Sequence, residues 1–308
     1  MKTFIALLAL LILFAAAPAA GAGGPPQYAA QGGMGITTSK GDRYVALRLP
    51  GGTTMLAFVS SDGSVWNGPI FRGDWGIPMI TYRDAGGLSL DGHTLVLQSA
   101  VTGPTTSFIV LDTRRYRVKR RFTLRGSYSF DAWSPDASRL YLIDRVDTTN
   151  LSRYIVKAYD LTTNRLLPGR IADRTQKGWV MQGDAATRTT SVDGRWAYTL
   201  YMNQGGTPFI HALDTVRGVA HCIGIPWKSV DQSGLQNVVL TLHGDRLAVH
   251  WRSGRQWLDV NTASWRVSPA SASTFPWAWL GFAAVPLLLF LVWRRRPRSA
   301  GTFLAREA

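Results

Sequence analysis

Glutamate is almost missing from this 308-residue chain, because 18 of its 19 acidic residues are aspartate and the single glutamate is the next-to-last residue, Glu307. Carboxylate chemistry in the rest of the chain must therefore use aspartate alone. A glycosidase, which needs a pair of carboxylic acid side chains, would have to build both from aspartate. The shortage also argues against long exposed helices, because glutamate is among the favoured helix formers.

Cysteine occurs once, at Cys222, so no disulfide can form within the chain. No catalytic partner pattern accompanies this residue, and we interpret it as a small buried hydrophobic side chain rather than a nucleophile. The sequence also has no Gly-x-Ser-x-Gly elbow, no glycine-rich phosphate loop and no Cys-x-x-Cys-His haem motif. We therefore nominate no catalytic or cofactor-binding residue and predict no cofactor.

The five histidines also give no local metal motif. No two of them show the His-x-His or His-x-x-x-His spacing that places two ligands side by side. No loop has the dense alternating Asp and Asn residues of a calcium site. We therefore predict no metal site, although repeated units can bring single residues together from distant parts of a chain.

One short pattern returns five times: a Ser or Thr, a tight turn, an apolar run, and then a second turn at an aspartate. The clearest copy begins at Trp133-Ser134-Pro135-Asp136 and reaches its second turn at Tyr159-Asp160-Leu161-Thr162. The first markers are Ser39, Ser89, Ser134, Ser191 and Thr241, and the second markers are Asp62, Asp112, Asp160, Asp214 and Asp259. A period near 50 residues, with two markers in step, indicates one repeated supersecondary unit.

Between the markers lie short runs rich in β-branched and aromatic residues, such as Thr94–Leu97 and Ser107–Leu111. Gly, Pro, Asn and Asp bound these runs, which is typical of strands and turns. Each repeat has room for four strands. We therefore predict an all-β fold, a β-propeller of about five four-stranded blades over residues 34–268. The alternative is a sixth, degenerate blade within the long glycine-rich stretch Asn67–Gly87.

Two motifs carry a family resemblance. Trp133-Ser134-Pro135-Asp136 resembles the WSPDG phrase of TolB-type and WD40-like bacterial propellers, and Tyr159-Asp160-Leu161-Thr162-Thr163-Asn164 resembles the YVTN repeats of surface-layer propellers, as does the strand Tyr141-Leu142-Ile143. The resemblance spans residues 34–268 and implies a propeller fold and an exported, surface-associated setting, but no particular activity. Propeller enzymes, namely five-bladed glycoside hydrolases and seven-bladed lactonases, are the enzymatic precedent that it implies.

Both ends of the chain carry apolar segments. Residues 1–22 have the charge, apolar run and small-residue cleavage pattern of a signal peptide, with an uncleaved membrane helix as the alternative. A flexible leader, 23–33, is expected after it. Beyond a stalk at 269–274, residues 275–293 are uncharged and long enough for one transmembrane helix. The arginine-rich tail, 294–308, predicts a cytoplasmic C-terminus and an extracytoplasmic propeller in a single-pass type I protein of the cell membrane.

Charge and tryptophan nominate two binding surfaces. Residues 23–274 carry a net charge of about +10, and the densest basic run is 114–121. If this run is one strand, alternation places four basic side chains on one face, Arg115, Arg117, Lys119 and Arg121, which would attract an anionic partner. The alternative is an outer edge strand protected from pairing by its charges. Three tryptophans in Gly/Pro-rich loops are the candidates for a loop binding face: Trp66, Trp75 and Trp227.

Together these patterns predict a membrane-anchored, extracytoplasmic β-propeller that acts as a ligand- or protein-binding platform at the cell envelope. The expected partners are the membrane, through the single C-terminal span, and an anionic envelope polymer or another envelope protein, but no nucleic acid. The alternative is a propeller enzyme, a hydrolase or lactonase, with Asp and His residues gathered at the central channel.

Overall fold

The computed structural model describes residues 29–270, except 34, 101, 102, 148, 176, 177, 179 and 204. This part of the chain contains no α-helix, only strands, turns and short 3-10 segments such as Ser233–Asn237. The predicted signal peptide, 1–22, and the predicted transmembrane segment, 275–293, lie outside the described residues. Among the residues described, no helix has the length and apolar character needed to cross a bilayer.

The strands form five antiparallel sheets, and neighbours within a sheet mostly follow one another along the chain. Sheet one contains β2 (Ile36–Thr37), β3 (Arg43–Leu49), β4 (Thr53–Val59) and β5 (Val65–Arg72). Sheet two contains β1 (Ala29–Ala30), β6 (Trp75–Pro78), β7 (Thr94–Ser99), β8 (Thr105–Asp112) and β9 (Arg117–Arg125). Both sheets therefore end at an outer edge strand, β5 in the first and β9 in the second.

The remaining sheets repeat this plan. Sheet three contains β10 (Ser127–Trp133), β11 (Arg139–Arg145), β12 (Arg153–Asp160) and β13 (Arg165–Leu166), and a short extra strand, β14 (Met181–Gln182), also pairs with β12. Sheet four contains β15 (Asp184–Thr190), β16 (Trp196–Met202), β17 (Phe209–Asp214) and β18 (Val219–Gly224). Sheet five contains β19 (Val238–His243), β20 (Arg246–Trp251), β21 (Gln256–Asn261) and β22 (Val267–Pro269).

The core lies between successive sheets because the central strands bury both faces. In β7, Leu95 and Leu97 pack in a cluster shared with sheet one, whereas Val96 packs with Phe130 of sheet three. Two further clusters of the described residues join sheet three to sheet four and sheet four to sheet five. Four-stranded antiparallel sheets packed face to face in chain order are the arrangement of propeller blades. The five sheets agree with the predicted number of repeats.

The first marker closes the turn between the two innermost strands of a repeat. In sheet three, the Ser134 hydroxyl donates to the Asp136 carboxylate at 2.6 Å and accepts the Arg139 N–H at 2.9 Å. The same carboxylate accepts the Ser138 N–H at 3.1 Å. These bonds satisfy turn donors that would otherwise need water, and the Ser134 hydrogen bond is the main reason that the pKa of Asp136 is lowered. Ser89 and Ser191 make the same contacts in sheets two and four.

The second marker closes the turn between the two outer strands. Asp112, Asp160 and Asp214 each accept the N–H groups two and three residues further along the chain. The fourth residue after each aspartate has a left-handed backbone, with φ of 51° at Tyr116, 57° at Asn164 and 65° at Gly218. The aspartates are therefore scaffold residues, engaged in the turns that define the repeat.

Four of the sequence markers depart from these turns. Asp62 lies third in a turn that begins at Ser60, where it accepts the Ser60 hydroxyl and the Ser64 N–H. In sheet one the turn begins at Thr38, whose carbonyl accepts the Gly41 N–H, and not at Ser39. In sheet five Thr241 lies inside β19, because the turn is a tighter one from His243 to Arg246. Asp259 lies inside β21, and Asn261 takes the place of the second marker by accepting two backbone N–H groups.

Two irregular segments also differ from the sequence expectations. The stretch Asn67–Gly87 contains no sixth sheet among the described residues, since it supplies most of β5, all of β6 and a small hairpin bridged between Met79 and Ala85. Part of the predicted flexible leader is a strand, because Ala29 and Ala30 pair with β6. This pairing adds β1 to the second sheet.

Candidate functional site

The structure places the three nominated tryptophans in three different settings. Trp66 lies in β5 and is 66% exposed, whereas Trp75 lies in β6, packs against the cluster of sheets one and two, and donates its indole N–H to the Arg72 carbonyl. Only Trp227 lies in a loop, the one between sheets four and five. The predicted common loop face is therefore wrong in its geometry, since two of these residues belong to strands.

The basic run is also arranged differently from the prediction. Arg115 lies in the turn before β9 and pairs with Asp112 at 3.2 Å. A β-bulge interrupts β9, because Leu111 pairs with Val118 but Val110 pairs with Arg120. Lys119 therefore donates to Thr94 at 3.0 Å, whereas the Arg121 guanidinium lies 5.5 Å from the ring centre of Phe71 in sheet one. The four side chains do not share one face, but β9 is an outer edge strand.

The outer edges of sheets one and two enclose an aromatic groove of about 540 Å³, which we call the edge cleft. Six residues line it: Phe58, Trp66, Asn67, Gly68, Pro69 and Tyr116. Phe58 and Trp66 are cross-strand partners on the same face of sheet one. The Tyr116 side chain reaches the groove from the turn between β8 and β9, which its left-handed backbone completes. The edge cleft therefore brings a nominated tryptophan next to the nominated basic strand.

The backbone of the edge cleft is adapted to this close approach. A Cβ atom on Gly68 would lie 2.3 Å from the Leu56 carbonyl oxygen, so only glycine fits there. The same position is in van der Waals range of the Tyr116 ring, 3.7 Å away. Tyr116 also faces Tyr44, whose pKa is raised, mainly by burial. The floor of the cleft is therefore a packed aromatic surface. The guanidinium of Arg121 lies over Phe71, further along β5, and neither residue lines the cleft.

A second cavity, of about 220 Å³, lies where sheets one to four meet. Its charged lining residues are Asp131 of β10 and Arg188 of β15, which form a buried ion pair. Arg188 donates to both the carboxylate and the carbonyl oxygen of Asp131, and its Nε–H donates to the Thr199 hydroxyl at 2.8 Å. Both charges are therefore matched within the protein, and the pair joins sheet three to sheet four.

A row of polar side chains continues from this pair across sheet four. Arg188, Thr199, His211 and Cys222 are successive cross-strand partners, so they lie on the same face, towards sheet three. His211 is 3% exposed, and neither ring nitrogen has a hydrogen-bond partner among the described residues. Burial lowers its pKa to about 4. Burial likewise raises the pKa of Cys222 to about 12, so the thiol is protonated and a poor nucleophile.

A third, smaller cavity of about 40 Å³ adjoins the start of β15. Asp184 and Arg145 line it, together with the buried hydroxyl-bearing rings of Tyr154 and Tyr201. The pKa of Asp184 is raised, because burial outweighs the attraction of the Arg145 charge. The two cavities thus hold one aspartate and one arginine each. Among the described residues, no three His, Cys, Asp or Glu side chains come together in a way that could hold a metal ion.

No protein-family model matches the chain, and no curated protein matches it. Among solved structures, TolB from Acinetobacter baumannii is 16% identical, with 71% of this chain and 49% of that chain covered at a TM-score of 0.39. A candidate 6-phosphogluconolactonase from Bacteroides uniformis is 16% identical over 76% of this chain and 68% of that one, with a TM-score of 0.45.

The chain therefore spans about half the length of the Acinetobacter TolB. Hydrazine synthase from Kuenenia stuttgartiensis is a further similar structure, 14% identical over 77% of this chain and 70% of that chain, with a TM-score of 0.40. Similar solved structures thus include TolB, a candidate lactonase and hydrazine synthase, each at a TM-score below 0.5. Likeness at this distance assigns neither a family nor an activity to the chain.

Proposed function

We propose that this protein is an extracytoplasmic binding platform at the cell envelope, held by a single C-terminal span, and that its edge cleft receives an anionic partner. The observation that carries the proposal is the position of Trp66 and Tyr116 in an open aromatic groove beside β9. The strand β9 contains five basic residues and no acidic one. Tryptophan, tyrosine and arginine are the residues most enriched at binding hot spots.

The exposure of these side chains supports the same conclusion. Trp66 on β5 is 66% exposed, and Tyr116 and Val118, at the start of β9, are 40% and 37% exposed. Contiguous apolar surface with a charged rim is typical of interaction sites rather than of inert surface. An anionic envelope polymer, or an acidic surface of another envelope protein, would meet complementary charge on β9 and apolar contact in the edge cleft.

The expected position in the cell follows from the sequence at the two ends. A signal peptide at 1–22 would export the propeller, and the uncharged segment 275–293 with its arginine-rich tail would hold it with the C-terminus inside. We expect protease added to intact cells to digest the β-sheet domain and to spare an epitope attached after Ala308. Protection of the β-sheet domain, with the membrane intact, would contradict this topology.

Binding is tested with the full-length protein in detergent on immobilised heparin, a sulfated polysaccharide that serves as a model polyanion. We expect Trp66→Ala and Arg121→Gln to elute at lower salt than the wild type, because each removes part of the cleft or its charge. Arg165→Gln is the matched control, since Arg165 is an exposed arginine on the outer strand of sheet three. Elution of Trp66→Ala with wild type, together with equal elution of Arg121→Gln and Arg165→Gln, would show that charge alone, without the cleft, causes retention.

A further inference from the structure

A second aromatic groove lies between the loop that follows sheet four and the β20–β21 turn. Its volume is about 480 Å³, and we call it the tryptophan groove. Seven residues line it: Pro226, Trp227, Lys228, Trp251, Arg255, Gln256 and Trp257. A volume of this size lies within the range of about 300–1,000 Å³ that is usual for ligand pockets. The edge cleft shares no residue with it.

The three indoles of the tryptophan groove are held in fixed positions. The ring centres of Trp227 and Trp257 are 5.5 Å apart, and those of Trp251 and Trp257 are 5.8 Å apart. The Trp227 indole N–H donates to the Asp231 carbonyl at 3.0 Å, and the backbone N–H of Trp251 donates to the Arg255 carbonyl at 2.9 Å. All three rings are half-buried against the core of sheets four and five. They therefore offer flat, rigid faces to solvent.

The charged residues of the groove are both cations. Arg255 holds its guanidinium 5.2 Å from the ring centre of Trp251, and Lys228 lines the opposite loop. No carboxylate lines the groove among the described residues. A cationic ligand would be repelled, whereas a ligand that combines an apolar ring face with an acidic group would meet complementary surfaces.

The secondary structure disfavours an extended peptide as the occupant. Strands β20 and β21, which carry Trp251 and Trp257, are each paired on both sides within sheet five. Among the described residues, the outer edge of β21 at the groove is open only at Gln256 and Trp257, because β22 pairs with Leu258, Asp259 and Val260. An edge of two residues is too short for a peptide to extend the sheet by a ladder of backbone hydrogen bonds. A pyranose ring needs no such edge, since its C–H face packs on an indole and its hydroxyl groups can bond to a side-chain amide such as that of Gln256.

We propose that the tryptophan groove is a binding site for an acidic saccharide, that is, a pyranose unit carrying a carboxylate, with the sugar face on the indoles and the acidic group on Arg255 and Lys228. This site is independent of the proposed edge cleft. It can be occupied whether or not the edge cleft binds a partner.

The test is calorimetric titration of the full-length protein in detergent with tetragalacturonate, an acidic oligosaccharide, and with maltotetraose, a neutral one. We expect wild type to bind tetragalacturonate, and Arg255→Gln to weaken that binding about tenfold, the effect of losing one charge-assisted hydrogen bond. Arg252→Gln is the matched control, because Arg252 is an exposed neighbour on the same turn that does not line the groove. Arg252→Gln and Trp66→Ala should both bind like wild type.

Folding is checked separately, since Arg255 is exposed and Arg255→Gln should leave the thermal unfolding midpoint unchanged. Four results would overturn the proposal, and the first three are no binding of tetragalacturonate by wild type, equal weakening by Arg255→Gln and Arg252→Gln, or equally tight binding of maltotetraose. Binding of tetra-aspartate as tight as that of tetragalacturonate, with the same loss in Arg255→Gln, would overturn it in favour of an acidic peptide. Heparin also contains uronate units, which the tryptophan groove would bind, so the column tests the edge cleft only through the difference between Trp66→Ala and wild type. An unchanged elution of Trp66→Ala therefore leaves the titration outcomes unaffected.

Discussion

The Thr215 hydroxyl donates a hydrogen bond to the Gly194 carbonyl at 2.9 Å, which ties the outer turn of sheet four to its inner turn. The Thr215 N–H reinforces this link by donating to the Arg195 carbonyl at 2.8 Å. Thr113 bonds to Gly92 at 2.6 Å in sheet two, and Thr262 bonds to Asp245 at 3.0 Å in sheet five. The two marker turns of a repeat occur together along the sequence because they are hydrogen-bonded to each other in the structure.

We therefore expect Thr215→Val to destabilise the protein by about 1–2 kcal/mol, because a carbonyl at a buried turn loses its donor while the side-chain volume is kept. The measurement is urea unfolding of the full chain in detergent. Thr105→Val on the exposed start of β8 is the control and should change the free energy of unfolding by less than about 0.5 kcal/mol. Equal effects of the two substitutions would show that the link between the turns is not stabilising.

The repeat explains which parts of the fold the sequence could predict. Turns that depend on Ser-x-Asp pairs follow local rules, so the sequence locates the inner turns of sheets two, three and four correctly. The pattern failed in sheet five, where the tighter turn ending at Arg246 needs no serine and Asn261 replaces aspartate. An asparagine oxygen accepts the same two N–H groups, so a pattern defined by aspartate points to Asp259, which lies inside the strand.

The candidate sites were harder to predict because each is made by elements that are distant in sequence. The edge cleft joins β5 to the turn before β9, and only packing brings Trp66 to Tyr116. Strand alternation assigned Arg121 and Lys119 to one face, but a bulge in β9 separates them. The signal that could have indicated the tryptophan groove was the pair Trp251 and Trp257 at the two sides of one turn.

Ala137 has a backbone conformation that is unfavourable for alanine and that glycine adopts in the neighbouring repeats. It has φ of 53°, in the position where Gly92 and Gly194 have φ of 71° in the neighbouring repeats. A left-handed backbone is costly for a residue with a Cβ atom. We expect Ala137→Gly to stabilise the protein by about 0.5–1 kcal/mol and Gly92→Ala to destabilise it by a similar amount. Thermal unfolding of both variants checks the sign, and destabilisation by Ala137→Gly would show that the methyl contact outweighs the backbone strain.

The ion pair between Asp131 and Arg188 should be more important for stability than any exposed pair. Arg188→Met removes the partner of a carboxylate that is about 3% exposed, and we expect a loss of about 3–5 kcal/mol. The double variant Asp131→Leu with Arg188→Met should recover part of this loss, because no unpaired charge then stays buried. Urea unfolding of wild type, the single variant and the double variant measures the coupling. A double variant less stable than Arg188→Met would contradict this account.

His211 should make stability depend on pH. Its pKa is about 4 in the folded protein, against about 6.5 for an unperturbed imidazole, because burial opposes the charged form. Between these values the unfolded chain binds the extra proton, so the contribution of neutral His211 is complete above about pH 6.5. It is lost progressively as the pH falls towards 4, and a shift of this size corresponds to about 3 kcal/mol.

The aspartates also titrate in acid, so the quantity to measure is the difference in unfolding free energy between wild type and His211→Gln at each pH. We expect that difference to change steadily between pH 6.5 and 4 and to level off below 4. Parallel curves over this range would mean that the imidazole has the same pKa in the folded and unfolded states, as expected if water reached the ring.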